Sequence, residues 1–238
     1  MNVEWRDAPA TLPAGERLYA IGDIHGCLGK LSALHRFVAG DLATRPAPRA
    51  RLVHLGDVID RGPDSAGCIE AVLGFTACPV ITLMGNHEDT ANDALAGASH
   101  ACTDWLHTGG AAALRSWGVD PDAPRAGWAA GIPASHRRFM AGLPLYLEAG
   151  PYLFVHAGIR PGLPPVSQLH DDLLRIRRSF LDSEADHGRI VIHGHTPTRD
   201  RRPELRPNRI NLDTGACFEG GRLTCAVFEG GRVGFVQA

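Results

Sequence analysis

Short apolar runs, each stopped by a glycine or a polar cluster, recur along the chain. Residues 17–21 (RLYAI) stop at Gly22-Asp23, residues 51–55 (RLVHL) at Gly56-Asp57, and residues 80–84 (VITLM) at Gly85-Asn86. Residues 152–155 (YLFV) stop at His156-Ala157-Gly158, and residues 189–192 (RIVI) at His193-Gly194-His195. Runs of this length, rich in Val, Ile and Leu and bounded by turn formers, predict buried strands. Between them the apolar spacing becomes helical. Leu28, Leu31, Leu34, Phe37 and Val38 fall on one face, with Gly40 as the expected C-cap. Asp64 or Ser65 caps a helix through Ile69, Val72 and Leu73 that stops at Gly74. Ser167 opens another, with Leu169, Leu173, Ile176 and Phe180 aligned.

Strands alternating with helices predict an α/β architecture. The C-terminal runs 209–212, 223–228 and 233–236 read as strands, the last two joined by a turn at Glu229-Gly230-Gly231-Arg232, so the sheet is expected to finish antiparallel. Residues 44–50, 119–133 and 197–207, rich in Pro, Gly or Arg, are expected as surface connections. The chain is expected to form one domain over 1–238. Residues 98–150 stand between the third and fourth strand ends and are expected as a small helical cap or insert.

Composition narrows the classes. The 238 residues are 44% hydrophobic with a net charge of −2, which excludes a disordered chain and argues against a binder of nucleic-acid polymers. The six cysteines show no Cys-x-x-Cys pair, no apolar run is long enough for a membrane helix, and the N-terminus lacks a signal-peptide pattern. A cytoplasmic protein with reduced thiols, off the membrane and monomeric, is expected. No cysteine is followed six residues later by arginine, which excludes a cysteine-phosphatase loop.

The strand ends carry the chemistry. Asp23 and His25 stand two apart, and on an extended segment both side chains point the same way. Asp57, Asn86, His156 and His195 follow at the next four ends. Ligands bind beyond the carboxyl ends of strands in open α/β sheets, so these six should converge. A single Gly-Asp after a strand is most often a turn with Asp capping a helix. Independent turns, however, would not place a metal-capable side chain at the same end of five successive strands. Carboxylate, imidazole and amide oxygen together suit Mn, Fe or Zn better than Ca. Six ligands are too many for one catalytic ion and suit two divalent ions bridged by a carboxylate.

The ordered set Gly22-Asp23-Ile24-His25-Gly26, Gly56-Asp57-Val58-Ile59-Asp60-Arg61-Gly62, Gly85-Asn86-His87-Glu88, His156-Ala157-Gly158 and Gly194-His195-Thr196 resembles the calcineurin-like metallophosphoesterases. Within them it is similar to the bacterial serine/threonine branch of the phosphoprotein phosphatases. Asp213-Thr214-Gly215-Ala216 matches that family's C-terminal strand signature. The resemblance implies a four-layer α/β/β/α sandwich of two mixed sheets with a dimetal site at the strand ends. It implies Asp23 and His25 on the first metal, Asp57 bridging, and Asn86, His156 and His195 on the second, with Mn2+ the expected ion. His87 would be the general acid, oriented by Asp60, and a metal-bridging hydroxide would attack directly. Arg61 and Arg177 would grip the phosphoryl oxygens together with Asn86. Arg177 follows Arg175 where the family commonly has Trp, and reads equally well as a solvated charge on an amphipathic helix. The implied substrate is phosphoserine or phosphothreonine in proteins. The rival is a symmetrical dinucleoside tetraphosphate hydrolase or a broad phosphoesterase. Symmetrical hydrolases tend to carry Ala, Asp and Trp where this chain keeps Asp60, Glu88 and Thr196.

Overall fold

Continuous apolar runs form where a strand is buried on both faces. Leu18 and Ala20 pack into one core and Tyr19 and Ile21 into another, so the last four residues of Glu16–Ile21 (β2) are all apolar. The computed structural model describes residues 3–238. The other strands are Glu4–Asp7 (β1), Arg49–His54 (β3), Val80–Thr82 (β4), Tyr146–Ala149 (β5), Tyr152–Val155 (β6), Ile190–His193 (β7), Glu204–Leu205 (β8), Arg209–Asn211 (β9), Thr224–Glu229 (β10) and Arg232–Gln237 (β11). They form two mixed sheets, in the orders β1-β11-β10-β2-β3-β4 and β5-β6-β7-β9-β8. The expected antiparallel finish is present: β10 runs antiparallel to both β2 and β11.

Helices cover both outer faces, giving the calcineurin-like layering of helices, sheet, sheet and helices. Leu28–Thr44 (α1) and Ser65–Leu73 (α2) bury Leu31, Leu34, Val38, Ile69 and Val72 against the first sheet. Tyr152, Phe154, Ile192, Ile210 and Phe228 fill the space between the sheets. Asn86–Leu95 (α3), Ser99–Trp105 (α4), Ala111–Ser116 (α5), Trp128–Gly131 (α6) and Ala134–Ala141 (α7) form the intervening helical region. His170–Arg175 (α8) and Arg178–Leu181 (α9) place Leu173 and Phe180 on the second sheet.

Four local readings change. α1 runs through Gly40 to Thr44 because Asp41, in its last turn, is held by Arg17 at 3.2 Å and Arg45 at 2.9 Å. Those contacts offset the roughly 1 kcal/mol by which glycine weakens a helix. The helix expected from Ser167 breaks at Ile176-Arg177 into α8 and α9, since the Leu173 carbonyl that would accept from the Arg177 N–H accepts instead from Ala157 at 2.9 Å. The expected connection 119–133 contains α6, whose Trp128 is buried against Trp105 with ring centroids 5.8 Å apart. The helical region ends at Ala141, and residues 146–149 are an edge strand of the second sheet. Among the described residues no helix is long and apolar enough to cross a membrane. All six cysteines are unpaired.

Candidate metal centre

β2, β3 and β4 from one sheet and β6 and β7 from the other deliver Asp23, His25, Asp57, Asn86, His156 and His195 from their C-terminal ends. Such delivery demands sharp turns. Among the described residues, six non-glycines adopt positive φ: His25 (+46°), Asp57 (+48°), Asp60 (+74°), Arg61 (+65°), His195 (+65°) and Arg201 (+58°). Five of them are predicted site residues. A left-handed backbone is strained for a residue with a Cβ, and such strain concentrates at functional sites.

Two tight donor groups share Asp57. His25, Asp57 and His87 present ligand atoms within 4.8 Å of one another, and so do Asp57, His156 and His195. Asp57 Oδ2 lies 3.5 Å from His25 Nε2, 3.4 Å from His156 Nε2 and 3.9 Å from His87 Nε2. Asn86 Oδ1 lies 3.0 Å from His156 Nε2. Asp23 is buried beside them, its carboxylate accepting the His195 N–H at 3.0 and 3.2 Å, yet it is His87 that completes the first tight group.

The imidazoles are set up to offer Nε2. His25 Nδ1 donates to the Ile59 carbonyl at 3.0 Å and His156 Nδ1 to that of Leu55 at 2.8 Å, which fixes both tautomers. Burial lowers His25 to about 3 and His195 to about 2, and also lowers His156. All three are therefore neutral near pH 7, the form in which histidine binds a metal. Burial and the neighbouring Asp213 and Asp57 charges push Asp23 well above its ordinary range. That clustering of carboxylates calls for a cation.

Next to this set lies a second pair. His87 Nδ1 donates to Asp60 Oδ2 at 2.7 Å, and both residues are buried. Burial opposes charge on His87, but Asp57 and Asp60 outweigh it and raise the ring above its ordinary value. Arg61 forks above, 3.1 Å from His25 Nε2 and 3.0 Å from His87 Nε2. Arg177 lies at the α8–α9 break, exposed, and donates to Thr196 Oγ1 at 3.2 Å beside His195. It lies on no helix face.

Three supports escaped the sequence reading. The buried Glu88 carboxylate accepts the N–H groups of Val58 at 2.7 Å, Asp57 at 2.9 Å, Gly85 at 3.0 Å and Ile59 at 3.1 Å. It thereby shapes the turn that aims Asp57. Gly85 is required beside it, because a Cβ there would overlap Asp57 Oδ1. Trp105 donates its indole N–H to Asp60. The Arg61 backbone N–H donates to Gly109 at 3.2 Å, from the turn between α4 and α5. Only Glu88 left a signal, as the Glu three residues after Gly85 that starts a helix.

The calcineurin-like phosphoesterase profile matches residues 16–228. The chain belongs to that family. It is a metal-dependent phosphoesterase. Of these phosphoesterases, it is 28% identical over 229 residues to the asymmetrical bis(5'-nucleosyl)-tetraphosphatase PrpE of Anoxybacillus flavithermus, covering 86% of this chain and 87% of that protein. It is 33% identical over 218 residues to serine/threonine-protein phosphatase 1 of Salmonella typhimurium, covering 88% and 90%. A solved candidate diadenosine tetraphosphatase superposes with a TM-score of 0.64 at 23% identity, covering 98% of this chain and 99% of that one.

The donor set fits the family's metals. His195 Nε2 is buried with no hydrogen-bond partner. Asn86 Oδ1 and His156 Nε2 face each other as two lone-pair atoms, an arrangement that a shared cation relieves. Their 3.0 Å separation, and the 3.4–3.5 Å separations from Asp57, are what two bonds of about 2.1 Å to one ion would give.

Proposed function

We propose that this phosphoesterase hydrolyses phosphate monoesters of serine and threonine in proteins. The observation that carries this reading is the buried His87–Asp60 pair at 2.7 Å. A seryl or threonyl oxygen leaves as a strongly basic alkoxide unless it is protonated, whereas a nucleoside polyphosphate leaves as a weakly basic anion and needs no acid. A histidine raised by two carboxylates beside the reacting centre therefore serves the first leaving group far more than the second.

In this reading Asp23, His25 and Asp57 hold one divalent ion, and Asp57, Asn86, His156 and His195 hold the other, with Mn2+ the ion suited to this mixture of oxygen and nitrogen donors. The ions, when bound, neutralise the phosphate dianion and lower the pKa of the attacking water. Arg61 and Arg177 take the phosphoryl oxygens, the guanidinium fork matching them in pairs. As Arg61 turns to phosphate it releases His87 Nε2, which can then carry the proton to the departing oxygen. Asp60 keeps Nδ1 protonated and the ring aimed throughout. Direct hydrolysis leaves the cysteines without a role.

Asymmetrical cleavage of dinucleoside tetraphosphates is the second reading, favoured by the similarity to PrpE. Mn-loaded protein assayed with a phosphothreonine peptide and with diadenosine tetraphosphate separates the two. A higher kcat/KM on the peptide is expected. Nucleotide cleavage faster by orders of magnitude overturns the proposal.

A further inference from the structure

The loop from Gly215 to Gly221, after Asp213, is held at both ends. Lys30, the only lysine in the chain, donates from Nζ to the carbonyls of Ala216 at 2.8 Å and Gly221 at 2.6 Å. Inside the loop the Phe218 N–H donates to Gly215 at 3.0 Å, and the Gly221 N–H to Phe218 at 2.9 Å. This pinned turn displays Phe218 outward, 43% exposed. A large aromatic side chain held at the surface by a dedicated cation calls for a binding explanation.

Two guanidiniums share its ring. The Arg61 Cζ lies 5.8 Å and the Arg201 Cζ 5.2 Å from the Phe218 centroid. Arg201 is the sixth positive-φ residue, and its carbonyl accepts from Gln237 Nε2 at 3.0 Å, so its strained backbone is fixed. Gly215 makes room for it, since a Cβ there would overlap Arg201 Nη1. Arg206 and Arg209 farther along both pair with Glu204. Among the described residues, by contrast, no carboxylate oxygen comes within 4.0 Å of the Arg201 guanidinium. Arg201 is thus an oriented, partly exposed cation stacked on an aromatic ring, with no carboxylate in direct ion-pair contact.

Both guanidiniums touch one ring, so they lie within about 11 Å of each other, the span of roughly three extended residues. We propose that Arg201, seated on Phe218, binds an acidic side chain within three residues of the phosphoresidue, making acidic phosphopeptides the preferred substrates. The inference rests on the phosphoprotein reading, with Arg61 marking the phosphate. The guanidinium fork matches a carboxylate, and the ring beneath it limits the freedom the arginine loses on binding.

The test uses Mn-loaded protein and phosphothreonine peptides carrying one Glu at each of the three positions on either side, each beside its Gln counterpart. At one or more positions kcat/KM is expected to favour Glu by about fivefold at low ionic strength, the size of a partly exposed ion pair. Arg201→Gln should bring that ratio to about one and Phe218→Ala should reduce it, while Arg201→Lys keeps part of it. Turnover of p-nitrophenyl phosphate in Arg201→Gln should stay within about twofold of the parent, reporting an intact fold and metal centre. A Glu/Gln ratio of one at every position in the parent, or a preference that survives Arg201→Gln, overturns the inference. Absent peptide turnover alongside rapid diadenosine tetraphosphate cleavage removes the phosphoprotein reading and this inference together.

Discussion

Trp105 donates its indole N–H to both carboxylate oxygens of Asp60, at 2.9 Å from Oδ1 and 3.0 Å from Oδ2, across 45 positions of sequence. Both residues are buried, and Asp60 in turn holds His87. The helical region therefore reaches the site through the carboxylate that holds His87. Hydrogen bonds to charged groups contribute about 1.5–3 kcal/mol, so Trp105→Phe should cost much of that in positioning. The expected outcome is a roughly tenfold or larger fall in kcat on a phosphothreonine peptide. Metal content, measured by elemental analysis, should be unchanged. An unaltered kcat would mean that Asp60 needs no such support.

His87 itself is tested by leaving group. A general acid contributes about 10²- to 10⁴-fold when the departing oxygen is strongly basic. His87→Asn should lose activity in that range on a phosphothreonine peptide and far less on p-nitrophenyl phosphate, whose phenolate departs readily. Equal losses on the two substrates would assign His87 to metal binding instead. The membership of His87 in a tight donor group with His25 and Asp57 makes that a concrete rival.

Asp57 belongs to both donor groups, so its replacement has a distinctive signature. Asp57→Asn should lower bound manganese at both sites together, whereas a variant of His195 should affect one. Elemental analysis after dialysis reads the difference, with turnover of p-nitrophenyl phosphate falling in parallel. Full occupancy in Asp57→Asn would contradict a bridging role.

The strand ends were legible because each pairs a buried apolar run with an abrupt polar stop, and burial on two faces forces that pattern. Their convergence followed from the rule that α/β sheets bind at carboxyl ends. What stayed hidden was the support beneath them. Trp105, Thr108 and Gly109 come from a region whose apolar spacing shows only that it is helical, and nothing in that spacing says that it ends against Asp60 and Arg61. Gly40 misled for the opposite reason: its local preference to end a helix is overridden by Arg17, which reaches Asp41 from β2. The helix break at Arg177 was hidden too, because the Ala157 N–H that takes the Leu173 carbonyl comes from outside that helix.

Glu88 offers a stability test. Its carboxylate gathers four backbone N–H groups from the Asp57 and Asn86 turns. Glu88→Gln turns half of that acceptor surface into an N–H₂ group facing N–H donors. A loss of about 2–4 kcal/mol is expected, comparable to breaking other buried charged networks. In a chain of this size that lowers Tm by roughly 5–15 °C, measurable by calorimetry. An unshifted Tm would show that water or a local shift replaces the lost acceptor.

A pH test lies away from the metal centre. His35 Nε2 and His54 Nε2 meet at 3.0 Å in a buried pair, and His54 Nδ1 meets Thr82 Oγ1 at 3.1 Å. Burial lowers His35 to about 4 and lowers His54 well below its ordinary value, with His35 adding to the effect on His54. A histidine lowered in the folded state binds fewer protons there than in the unfolded chain at intermediate pH. Stability therefore rises with pH across that window and falls as pH drops from about 6.5 towards 4. His35→Asn removes one titrating ring while keeping a polar partner for His54. Its Tm should decline less steeply than the parent's between pH 7 and 5, since the buried carboxylates around the metal centre titrate alike in both proteins. Identical slopes would mean that the His35–His54 pair is already protonated and hydrated in the fold, against its burial between α1 and the strands that carry Asp57 and Asn86.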